Sequence, residues 1–143
     1  MRHQHILLII LAAVLILSGR AWLGAAQEQS NPTRLAIIWT SGDPDVAHRM
    51  TLMYANGAKK RGWFDEVRLV IWGPSQKLVV ADKDIRAYID RLREAGVVVQ
   101  ACLACADSYG IADDLRDIGL EVKYMGEPVS NFLKDDQWEV VTF

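Results

Sequence analysis

Cysteine is scarce in this chain of 143 residues: there are two, Cys102 and Cys105, both inside the run QACLACADSYG at 100–110. One pair cannot build a disulfide framework, and two intervening residues close too small a loop to staple a fold through chain entropy. Histidine is scarcer still, since His48 is the only one after residue 26. A tetrahedral zinc site wants four ligands, usually two cysteine pairs or a pair with histidines, so one subunit falls short of a metal centre. A glycine-rich phosphate cradle is missing too. SGDPD at 41–45 has one glycine, two acids and no lysine, and Asp43 and Asp45 read better as helix-capping acids with Pro44 just inside the helix. Positive charge is not in excess either. From Gln27 onward 14 basic residues face 18 acidic ones, which argues against nucleic acid, whose binders need a basic face. Nothing in the pattern asks for a resident cofactor.

Long hydrophobic runs are confined to the N-terminus. Ile6 to Leu17 is unbroken and apolar, after a start made weakly positive by Arg2. Gly24-Ala25-Ala26 then precedes the polar Gln27-Glu28-Gln29-Ser30. That order is the one of a secretory signal peptide, with cleavage expected after Ala26. The run is shorter than the roughly 20 residues of a membrane-spanning helix. Export to the periplasm is therefore the expectation, and a retained membrane anchor built on residues 6–17 is the alternative. Residues 27–143 make one domain, and an oxidising compartment would permit a disulfide there.

The domain is rhythmic. Leu35 to Trp39, Val67 to Trp72 and Val97-Val98-Val99 are short continuous apolar runs, the pattern of strands buried on both faces. Between them Val46, Met50, Met53 and Gly57, and then Ile85, Tyr88, Ile89 and Leu92, recur at helical spacing and stop at Gly62 and Gly96. Ile111, Leu115 and Ile118 predict a short helix ending at Gly119, Glu121 to Tyr124 a fourth strand, Val129 to Leu133 another short helix, and Glu139 to Thr142 a last strand. Between the turn Gly73-Pro74-Ser75 and the next helix, begun near Asp82 or Asp84, the chain reads only as a short amphipathic stretch. Repeated strand–helix–glycine units with right-handed crossovers give an α/β fold, a three-layer α/β/α sandwich on a mostly parallel five-stranded sheet. Trp39 and Trp72 are expected in its core.

Ligands and reactive groups of such folds collect at the carboxyl ends of the strands. Topology puts Cys102 and Cys105 there, with Ser108-Tyr109-Gly110 read as a loop before the next helix. Several chemistries stay open for the pair. Two thiols at this spacing can close reversibly, although a thioredoxin-type pair has its first cysteine heading a long helix. They can also be small buried hydrophobes with no chemistry.

The stretch from Val97 to Ile111, with Cys102 eight residues before Gly110, resembles the cysteine loop of the DsrE/DsrF-like proteins, the YchN-like fold. The closing Val140-Val141-Thr142-Phe143 is similar to their C-terminal strand, and the likeness extends over Arg34 to Phe143. The resemblance implies a flavodoxin-like subunit that assembles into trimers or hexamers and relays sulfur as a cysteine persulfide. It maps the carrier to Cys102 and leaves Cys105 as the resolving thiol, attacking a Cys102 persulfide or mixed disulfide. Sulfur donor and acceptor proteins are then the partners, and a membrane enters only through an uncleaved N-terminus. Tyr109 departs from the pattern, which has arginine there.

Overall fold

The computed structural model describes residues 33–143. The expected leader lies outside them, and no helix among the described residues is long and apolar enough to cross a membrane. Strand β1 (Arg34–Trp39) leads to Asp43, whose carboxylate accepts the backbone N–H of Asp45 at 2.7 Å and of Val46 at 3.4 Å, with Pro44 in the first turn. That settles the SGDPD segment as a helix cap. The helix runs as α1 (Pro44–Val46), one π-helical turn (Ala47–Thr51) and α2 (Leu52–Lys60). Next come β2 (Glu66–Ile71), α3 (Ser75–Ala81) and α4 (Lys83–Glu94), then β3 (Val98–Cys102), α5 (Leu103–Tyr109) and α6 (Ala112–Asp117). The chain closes with β4 (Glu121–Lys123), α7 (Gly126–Phe132) and β5 (Trp138–Thr142).

The sheet order is β4-β3-β2-β1-β5, and every pairing is parallel. From β1 to β4 the chain always steps the same way, so right-handed crossovers place α1 to α6 on one face. The connection from β4 returns across the sheet to β5 beside β1, which puts α7 alone on the other. Strand side chains alternate accordingly. Leu35, Ile37, Trp39, Leu69, Ile71 and Val99 join the main core with Leu52, Ile85, Leu92 and Leu115 of the helices. Ala36, Ile38, Val70 and Cys102 point the other way, into a small cluster with Met125 and Phe132. The sandwich has three layers, one thick and one thin.

Two segments differ from expectation. Residues 75–81 form a full helix, because Ser75 and Gln76 turn inward with Val79; the Ser75 hydroxyl and the Gln76 amide nitrogen donate to strand-end carbonyls, while Gln76 Oε1 has no partner among the described residues. Residues 103–109 are also helical rather than a loop. Ala104 and Ala106 favour the helix, and Gly110, at φ +67°, ends it in the left-handed conformation. The Gly110 and Ile111 N–H groups then close on the Asp107 and Ala106 carbonyls at 3.0 Å each. Trp39 is fully buried as expected, whereas Trp72 is half-buried at the rim of the smaller cluster.

Candidate functional site

Strand β3 delivers Cys102 as its last residue, and the same residue caps α5 in an extended conformation (φ −79°, ψ 115°). Three residues on, one helical turn brings Cys105 back beside it. Both thiols are free. Cys102 is 3% exposed and packs in the cluster with Ala36, Ile38, Val70, Met125 and Phe132. Cys105 is only partly buried and lies toward the surface. The first cysteine therefore does head a helix, of two turns, which the loop reading had not anticipated.

Burial is the main influence on Cys105 and holds its thiol above the ordinary cysteine range. The neighbouring Cys102 thiol adds to that rise, while the Gly73 backbone and the Trp72 indole oppose it.

Sequence reasoning missed the polar clamp behind the cysteines. The hydroxyl of Ser75 donates to the Trp39 carbonyl at 2.7 Å and accepts the Trp72 backbone N–H at 3.1 Å. The amide nitrogen of Gln76 donates to the Ile71 carbonyl at 3.0 Å and to the Cys102 carbonyl at 2.8 Å. Both residues are wholly buried. Two consecutive side chains thus tie together the ends of β1, β2 and β3. Without Gln76 the Cys102 carbonyl would have no such anchor, because pairing of β2 with β3 ends at Ile71 and Ala101. The signal was two polar residues straight after a Gly-Pro turn, on the inward side of a helix.

Two cations lie near the pair. Lys123 is the cross-strand neighbour of Cys102, but its ammonium is drawn to Glu121 at 2.8 Å. Glu121 is held below the usual carboxylate range, first by the Gln100 amide and then by Lys123. Lys77 of α3 sits 4.8 Å from the centre of the Tyr109 ring, at the end of α5. His48 lies apart from the cysteines, part-buried against Tyr88 with ring centres 6.5 Å apart. Among the described residues no three His, Cys, Asp or Glu side chains group closely enough to hold a metal ion.

The model of the DsrE/DsrF-like family matches residues 33–143. The chain belongs to the DsrE/DsrF-like family. A solved structure similar to this chain, a conserved protein of unknown function from Bacteroides thetaiotaomicron, is 31% identical, with 81% of this chain and 98% of that one covered and a TM-score of 0.73. No curated protein matches. DsrE/DsrF-like proteins are associated with sulfur relay, and the cysteine pair of this DsrE/DsrF-like chain is the feature on which that chemistry would fall.

Proposed function

We propose that the protein is a persulfide carrier in a sulfur relay, with Cys102 holding the sulfane sulfur and Cys105 acting as the resolving thiol. The observation that carries the reading is the pair itself: two free thiols one helical turn apart at the carboxyl edge of the sheet, one buried and one turned outward. Their unequal burial gives the steps an order. An incoming sulfane sulfur meets Cys105 first and forms a Cys105 persulfide. The Cys102 thiolate then attacks the terminal sulfur, forming Cys102–S–SH and returning Cys105 as the leaving thiolate. In the apolar cluster the sulfur is shielded from adventitious thiols, and an acceptor thiolate removes it by the reverse route. If instead Cys105 attacks the inner sulfur of the Cys102 persulfide, hydrosulfide leaves and a Cys102–Cys105 disulfide remains, two electrons having passed to the sulfane sulfur.

The test is cyanolysis of desalted protein after loading with a sulfur donor. Wild type should keep labile sulfur through a chase with excess free thiol, Cys105→Ala should keep it but load more slowly, and Cys102→Ala should load Cys105 and lose that sulfur in the chase. Wild-type retention in Cys102→Ala would overturn the assignment. A second reading, thiol–disulfide exchange with a partner, gains from the position of Cys102 at the head of α5. It predicts a defined two-electron potential in a chain that never holds sulfane sulfur.

The same proposal includes export to the periplasm through the N-terminal segment and assembly into a homo-oligomer. Tyr124 and Leu133, 67% and 68% exposed beside the thin layer, are the apolar groups that favour assembly.

A further inference from the structure

Helices α3 and α5 run side by side and meet at two levels. At the first, Cys105 and Trp72 pack against the same small cluster. At the second, the Lys77 ammonium rests 4.8 Å from the centre of the Tyr109 ring. Tyr109 is four residues after Cys105, so the two share one face of α5 about a helical turn apart. The ring on which the Lys77 ammonium rests is therefore about one helical turn from the outward thiol.

Lys77 is exposed, and no carboxylate among the described residues pairs with it. The acid of α5, Asp107, is two residues from both Cys105 and Tyr109 and so lies on the opposite side of that helix. The face that presents the thiol consequently carries one cation, steadied by an aromatic ring, and no nearby anion on α5 to neutralise it.

We propose that Lys77, seated on Tyr109, recognises the anionic tail of a small sulfane-sulfur donor whose transferable sulfur goes to Cys105. The inference rests on the carrier reading above and adds the charge of the donor to it. With thiosulfate as the probe the step balances. The Cys105 thiolate attacks the sulfane sulfur, the sulfur–sulfur bond breaks, and sulfite leaves with the bonding pair, giving a Cys105 persulfide anion. The departing sulfite is the group Lys77 would face.

The experiment follows loading of the full chain at low ionic strength with two donors, thiosulfate and an uncharged cysteine-ester persulfide. Lys77→Met should raise the half-saturating thiosulfate concentration about tenfold, with the maximal loading rate changed less than about twofold, because the lost contact concerns binding of the tail. Lys77→Arg should restore most of the affinity, Tyr109→Leu should give a weaker loss in the same direction, and added salt should erase the difference. Loading from the ester should be the same in all variants. The inference is overturned if Lys77→Met changes both donors equally or neither. A wild-type chain that loads from the ester but not from thiosulfate also overturns it and leaves the carrier reading standing. Loading from neither donor overturns both.

Discussion

Replacing Gln76 by leucine would leave the Ile71 and Cys102 carbonyls against a buried methyl group where an amide now satisfies them. An unsatisfied buried polar group costs about 1–3 kcal/mol, so urea unfolding should show a loss of about 2–3 kcal/mol. A second effect concerns the thiols. With its carbonyl released, Cys102 holds its sulfur less firmly beside Cys105, and the effective concentration of one thiol at the other falls. A tenfold fall makes the disulfide about 30 mV easier to reduce, readable by equilibration with glutathione. A stability loss without a shift in potential would make Gln76 a structural clamp only. Cys105 itself should alkylate slowly at neutral pH, with the inflection of its pH profile above the ordinary thiol value of 9.0, because burial disfavours the thiolate. Cys102→Ala should bring that inflection down, since the neighbouring thiol also pushes it up; iodoacetamide labelling against pH checks both. Lys77 stands beside Tyr109 from another helix, so no count along the cysteine segment could have found it.

Helix ends set what can be tested at the next scale. Gly110 has φ +67° with nothing within 4 Å of an added Cβ, so Gly110→Ala would strain the backbone alone. The expected cost is about 1 kcal/mol, concentrated in α5 and visible as faster exchange of its amides. Asp82 caps α4 by accepting the Ile85 and Asp84 N–H groups, which hold its carboxyl below 3.8. A lowered folded value gives stability that is present above pH 3.8 and lost as pH falls through the folded value. Asp82→Ala should therefore flatten that part of the acid-unfolding profile, measured by circular dichroism. The strands were legible because residues buried on both faces leave continuous apolar runs: Leu35 to Trp39 and Val67 to Trp72 match β1 and β2 within a residue. Helix α3 was not, since Ser75 and Gln76 are polar yet inward, and hydrophobic periodicity counts them on the wrong side. Helix α5 was hidden by Ser108-Tyr109-Gly110, where the glycine ends a helix instead of opening a loop. The π-turn at Ala47–Thr51 has no pattern of its own in the sequence. Placing the cysteines at the strand edge needed only the order of elements. Their unequal burial needed the crossover that carries α7 to the other face.

That crossover divides the whole molecule into layers of unequal strength. The thick layer holds α1 to α6, whereas α7, seven residues long, is too short to persist without packing. It is held by Phe132, 7% exposed and 4.5 Å from Trp138 between ring centres, and by Val129 with the neighbouring Met125. Cys102 lies beneath this lid of side chains. Access to the buried thiol should accordingly follow the stability of the thin layer before that of the whole domain. In a Cys105→Ala background, Phe132→Ala should cost about 3 kcal/mol. If that cost falls on the thin layer alone, Cys102 alkylates about a hundredfold faster under native conditions, one power of ten for each 1.4 kcal/mol. Leu92→Ala in α4, fully buried in the opposite layer, should cost a similar amount. It should nevertheless leave Cys102 labelling near the parent rate, because opening the thick layer's contacts does not uncover the thin one. Equal acceleration by both substitutions would show that the sheet and its two layers open as one unit, and that the thin layer is no separate route to the thiol.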